Sequence, residues 1–203
     1  GLGVGLGTAA PTSLITTQAD AANGIDIKSA HSTDANAPYI RFRRAESTWA
    51  SPSEIESGTI LGDLKFQGYN VASTAFKDGG RIYCVGAESW TDTDSRTHMR
   101  FQTVPDGSYT LVDRMSISSE GLVGIGDTAN ANMTIGLTIN QGGNDDEILA
   151  LKSDITHGLT DYAETDTFLS FKKLNADEGG LLVRVIAEDN DVRPLQVQAY
   201  GGQ

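Results

Sequence analysis

Cysteine is nearly absent. Cys84 is the single one in 203 residues, which excludes an intrachain disulfide framework and a cysteine-rich zinc site. Large rings are scarce too: aromatics make up 7% of the chain, so any core must be built from Val, Ile, Leu and Ala. Positive charge is in the minority, with 15 Lys+Arg against 27 Asp+Glu, a net charge of −12 and a pI near 4.5. Such a balance argues against nucleic acid, whose phosphates need a basic face, and against docking on anionic lipid. No apolar run approaches the roughly 18–20 residues of a membrane-spanning helix. No Ser sits in a Gly-x-Ser-x-Gly elbow and no P-loop is present. The Gly-x-Gly runs are not followed by a helical pattern, so they are not dinucleotide fingerprints. Proline is sparse at 5, whereas glycine, at 23, runs above the usual share of about 7%.

What is present is strand patterning. Apolar and polar residues alternate with a period of two in Ile40–Arg43, in Ile60–Gln67, in Met99–Gln102, in Arg114–Ser118 and in Leu195–Ala199. Each stretch reads as a strand with one wet and one buried face. Met133–Ile139, Ile148–Leu151 and Leu181–Ile186 are more continuously apolar, as expected of strands buried on both sides or lying at a subunit contact. Turn chemistry separates the candidates: Asp78-Gly79-Gly80, Asp106-Gly107, Glu120-Gly121, Gly142-Gly143-Asn144 and Glu178-Gly179-Gly180. Asp106-Gly107, between Phe101–Val104 and Tyr109–Val112, carries the clearest hairpin signal. Ser51-Pro52-Ser53-Glu54 has capping-box spacing with Gly58 to follow, and predicts one or two helical turns. No long segment has a 3.6-residue period. The expected fold is therefore all-β with little helix.

The chain contains an internal echo. Val4-Gly5-Leu6-Gly7 matches Val123-Gly124-Ile125-Gly126, Ile27-Lys28-Ser29 parallels Leu151-Lys152-Ser153, and Tyr39–Arg44 parallels Phe168–Lys173 in the same order. Two β modules follow, 1–120 and 121–203, each opening near a Gly-rich strand. In Val123-Gly124-Ile125-Gly126 one face is apolar and the other has no side chains, so a second backbone can come close. Such strands, and their counterparts Val4 to Gly7, are candidates for a junction or for packing about the axis of an intertwined oligomer. The alternative is a Gly-rich turn within one domain. A start at Gly1 rather than Met reads as a segment of a longer protein.

The run Arg114 to Asp127 follows the pattern Arg-Met-x-Ile-x-Ser-x-Gly-x-Val-Gly-Ile-Gly. It resembles a signature of phage tail fibres and related virion appendages. Ile40–Ala45, Ser51-Pro52, Ser57-Gly58, Leu61-Gly62, Phe66, Gly68-Tyr69 and Met99–Phe101 with Thr103 extend the likeness in order. Asn144–Ser153, His157-Gly158 and Ala163–Thr167 resemble a module that follows such segments in phage-derived proteins. Leu122 and Asp127 depart from the usual Asn and Thr. The resemblance implies a β-rich, elongated homotrimer of two sandwich-like or prism-like modules. Its place would be in the virion, outside the cell, assembled with other tail or fibre proteins. It would link the virion to a host-recognition tip or form part of that tip.

Chemistry-bearing residues give no catalytic, cofactor or metal assignment. Asp145, Asp146, Glu147, Asp161, Glu164 and Asp166 are candidates for the paired carboxylates of a polysaccharide-degrading spike, but a pair is expected by chance among 27 acids. His98 reads as a polar-face residue and His157, before Gly158, as a turn residue. Asp189-Asn190-Asp191 reads as a polar hairpin tip rather than a calcium loop, and Cys84 as a small buried hydrophobe. Trp49 and Trp90 stand in polar loops, where an indole can stack on a host glycan, anchor an interface or cap a β-core. Arg41, Arg43 and Arg44 form the densest basic cluster, suited to acids on a neighbouring strand or subunit, or to a phosphate or sialic acid.

Overall fold

A computed structural model describes residues 40–48, 50–188 and 195–196. The four residues Val4, Gly5, Leu6 and Gly7, the loop residue Trp49 and the Asp189-Asn190-Asp191 turn fall outside the described residues, as does most of the alternating run that starts at Leu195. Among the described residues the secondary structure is all β, with no helix, in three sheets.

A short hairpin comes first, β1 (Glu46–Thr48) against β2 (Ser51–Ser53). Here the expected helical turn is corrected. Ser51-Pro52-Ser53 is extended, with Pro52 opposite Ser47. A few residues of helix cannot repay the cost of nucleation, and proline disfavours helical geometry in the residue before it. The Thr48 hydroxyl accepts the Ser51 amide at 3.2 Å and closes the hairpin instead. Residues 40–45 are irregular rather than a strand.

The main sheet has six strands in the order β3 (Ile60–Asn70), β4 (Ala75–Gly86), β5 (Thr97–Thr103), β6 (Val112–Ile117), β7 (Leu122–Ile125) and β8 (Gly136–Ile139). All neighbours are antiparallel except β7 and β8, which run parallel. Asp106-Gly107 does turn the chain between β5 and β6, with Gly107 at φ +68°, but the second strand starts at Val112 rather than Tyr109. Asp78-Gly79-Gly80 is not a turn. It lies within β4 and forms a bulge opposite Phe66-Gln67, where the Phe66 ring passes close to Gly80. The turn itself falls at Val71–Thr74 without any glycine. The Asn70 side chain accepts the Ser73 amide at 2.8 Å, and Thr74 takes φ +50°. Gly121 (φ +95°) makes the tight turn between two hydrogen-bonded neighbours, β6 and β7, of this same sheet.

The third sheet is β9 (Glu147–Lys152), β10 (Thr167–Asn175) and β11 (Gly179–Val185), with β10 in the centre and both pairings antiparallel. Its β10–β11 turn is held by the Asn175 carboxamide oxygen, which accepts the Asp177 amide at 2.9 Å, and by Gly179 and Gly180 at φ +78° and +80°.

Candidate functional site

The register sorts the six-stranded sheet into two unlike faces. On one, a single cross-strand row runs Leu64, Ile82, Phe101, Met115, Ile125, Ile139 from edge to edge. The next row is Gly62, Cys84, Met99, Ile117, Val123, Leu137. Neither row holds a charge. None of these side chains is fully buried, and Leu64, Met99, Ile125 and Leu137 are 38–54% exposed.

The opposite face carries the charges and most of the burial. Asp63, Tyr83, Arg100, Ser116, Gly124 and Thr138 form one row there, with Lys65, Arg81, Gln102 and Asp113 beside it. Arg81 donates Nε and Nη2 to one Asp63 oxygen at 3.0 and 2.6 Å, and its guanidinium lies 4.2 Å from the Tyr83 ring centre. Asp113 receives Arg100 at 2.7 Å and Gln102 at 2.8 Å. Tyr83, Val85, Ser116 and Leu122 on this face are buried. The segment before β3 packs at the end of β4: Ile55, also buried, lies against Gly86, and its carbonyl accepts the Trp90 amide at 2.8 Å.

The smaller sheet repeats the arrangement. Leu149, Phe171 and Val183 form one apolar row and Leu151, Leu169 and Val185 the next. Leu149, Leu151 and Val183 are exposed. The other face holds Ser170, nearly inaccessible, opposite Ala150 and Arg184. Arg184 stacks over the Tyr162 ring at 5.7 Å, donates to the Tyr162 carbonyl and approaches Glu147 at 3.9 Å. In both larger sheets, then, one apolar face is left open. An isolated chain gains little from such an arrangement, because covering apolar area is the main driving force of folding.

The glycines of the Val123–Gly126 run serve a close approach within the chain. A Cβ on Gly124 would fall 2.2 Å from the Asp127 carbonyl oxygen, and one on Gly126 (φ +71°) 2.0 Å from that of Asn140. Val123 and Ile125 point the other way, into the open apolar rows. Sequence patterning finds the bare face but not the neighbour, because Asn140 arrives there through the parallel pairing of β7 with β8.

The remaining candidates are dispersed. Trp90 is half-buried, and its indole N–H donates to the Arg96 carbonyl at 3.3 Å. Arg96 gathers Glu88, Asp94 and, at 4.0 Å, Glu120 around it. Asp94 is held below its ordinary carboxyl pKa, first by its hydrogen bond with Glu88 and then by the Arg96 charge. Glu120 is lowered mainly by the Ser119 hydroxyl. Arg44 reaches Glu46 at 3.4 Å. Glu164 and Asp166 converge on Lys152, the latter at 3.2 Å, while Asp145, Asp146 and Asp161 are exposed. His157 is buried, with both ring nitrogens engaged by backbone groups. His98 pairs with Val85 at the start of β5, and Cys84 is half-buried in the open rows. A groove of about 400 Å³ separates β8 from the smaller sheet, with Asp127, Asn140, Lys172 and Lys173 in its walls.

No protein-family model matches the chain, and no curated protein matches it. Among solved structures, the carboxy-terminal domain of the bacteriophage T5 L-shaped tail fibre is similar at a TM-score of 0.45 and 12% identity, over 87% of this chain and 98% of that one.

Proposed function

We propose that the chain is a structural segment of a phage tail fibre or similar virion appendage. It works as a homotrimer that links the virion to the host-recognition tip or forms part of that tip. Its task is mechanical, and its partners are two further copies of itself and neighbouring virion proteins. The observation that carries this reading is the uncharged pair of rows on the six-stranded sheet, left open while the charged face behind it holds the buried residues. Each half-exposed side chain in those rows has on the order of 1 kcal/mol to gain on being covered. In a chain of net charge −12 the uncharged face is also where like-charged copies can meet without repulsion. The Arg114–Asp127 signature supports the appendage class. Association further hides the outer edges of β3 and β8, which would otherwise template aggregation.

Sedimentation from micromolar to nanomolar concentration tests the reading. A persistent, elongated species of three chains is expected. A monomer throughout that range would overturn it.

A further inference from the structure

The β3–β4 hairpin outruns its sheet. β5 pairs with Gly80–Gly86 alone, so Gln67–Asn70 and Ala75–Asp78 pair only with each other and form a two-stranded ribbon beyond the sheet. A free two-stranded ribbon is marginal in water without something to pack on. This one is nevertheless well formed. Tyr69 and Phe76 sit opposite one another and meet edge to face, with ring centres 5.4 Å apart at 73°. Gln67 donates to Asp78 at 2.7 Å, and the Asn70 side chain ties the turn. Its apolar side chains are strongly exposed: Tyr69 57% and Phe76 66%, on one face, and Val71, at the turn, 80%. A cluster of this kind marks an interaction surface.

We propose that this ribbon is an arm that clasps a second copy of the chain, laid on the open apolar rows of that copy's six-stranded sheet. The inference rests on the oligomeric reading above and names the contact that would hold it. Size fits: the ribbon reaches roughly 15 Å past Phe66 at about 3.3 Å per residue, and strands spaced about 4.8 Å apart place some three strands within that reach. Chemistry fits as well. The arm presents aromatic and aliphatic groups, and the rows present Leu64, Ile82, Phe101 and Met115 without a charge among them. Lys77, paired with Gly68 on the other face of the ribbon, adds an exposed cation, suited to a partner with 27 acids against 15 bases. An arm exchanged between copies covers in one step two surfaces that a single chain leaves wet.

The test leaves Cys84 in place, because it lies in the rows the arm would cover. Benzoylphenylalanine is incorporated at position 71 of the otherwise unsubstituted chain, which is then irradiated. Covalent species of two and three chains are expected, with the attached peptides mapping to Thr97–Thr103 and Val112–Ile117 of another copy. Separately, Tyr69→Ser with Phe76→Ser should raise the half-assembly concentration at least about tenfold, equivalent to about 1.4 kcal/mol, with the far-ultraviolet β spectrum kept. If the unsubstituted chain is multimeric but position 71 crosslinks only within its own chain, the arm proposal falls while the fibre reading stands. The same holds if the double variant assembles as tightly as the parent. Loss of binding to host-surface glycan in an otherwise intact assembly would assign the arm to an external partner and overturn the proposal. A monomeric unsubstituted chain would remove both readings.

Discussion

The carbonyl of Asn140 lies over Gly126, 2.0 Å from where a Cβ would stand. The Asn140 amide donates to Ile125 at 2.8 Å and its side chain to Asp127 at 3.0 Å, so three contacts lock the end of β8 onto the Gly-rich strand. Gly126→Ala is expected to destabilise the sheet. The left-handed backbone alone costs about 1–3 kcal/mol, and the clash adds to it. Gly143→Ala is the control, since nothing lies within 4 Å of its Cβ position. Thermal unfolding of both variants checks this, and equal midpoints would contradict it.

Asp127 ties acid sensitivity to the same corner. Its carboxyl is held below the ordinary value first by the Asn140 carboxamide and then by the Thr128 and Ala129 amides. A carboxyl whose folded pKa lies below its unfolded one stabilises the fold above the unfolded value, and that contribution is lost as pH falls through the folded one. Stability should therefore decline as pH drops below about 4. Asp127→Asn should flatten part of that decline, since an amide neither titrates nor accepts as strongly. Tm measured against pH for both proteins decides it, and coincident slopes would count against the assignment.

The strands of the six-stranded sheet are legible in the sequence wherever the period of two is clean. Leu64 and Phe66, Met99 and Phe101, and Met115 and Ile117 alternate with polar residues and do share a face. What alternation cannot say is which face is covered. Apolar positions read as buried by default, yet here Tyr83 and Val85, on the charged side, are the buried ones. Register is also invisible at this level. The pairing of Arg100 with Asp113 depends on the bulge at Phe101-Gln102, which shifts partners by a residue. Glycine misleads in one place and is missing in another. Gly79 and Gly80 suit a bulge as well as a turn, while the true turn is made by the Asn70 side chain and Thr74. The parallel approach of β8 to β7 leaves no local mark, because nothing near Leu137 specifies its neighbour.

His157 staples the smaller sheet to its preceding loop. Its Nδ1 accepts the Leu159 amide at 3.1 Å, and its Nε2–H donates to the Thr167 carbonyl at 2.8 Å. A carbonyl can only accept, so the ring is the neutral Nε2–H tautomer. His157→Ala leaves both backbone groups without these partners and should cost about 1–3 kcal/mol. The Leu159 amide should exchange with solvent faster, with the six-stranded sheet little affected. Hydrogen exchange resolved by residue checks this. Unchanged protection at Leu159 would mean that the ring only fills space.

The open rows give the most direct test of the proposed assembly. Leu64 is 47% exposed and Ile125 41% exposed, and each sits in the row that crosses all six strands. A lysine at either position can extend its ammonium into water in a single chain, so the monomer should lose little. In an assembly that covers the rows, the same ammonium is taken out of water without a partner, and burying an unpaired charge is strongly unfavourable. Leu64→Lys and Ile125→Lys should therefore keep the β spectrum and lose the three-chain species in sedimentation at micromolar concentration. Arg81 on the opposite face gives the contrasting variant. Arg81→Leu breaks the Asp63 pair and should lower Tm while leaving the mass of the assembly unchanged. If the lysine variants kept their native mass and Arg81→Leu lost it, the assembly face would be the charged one.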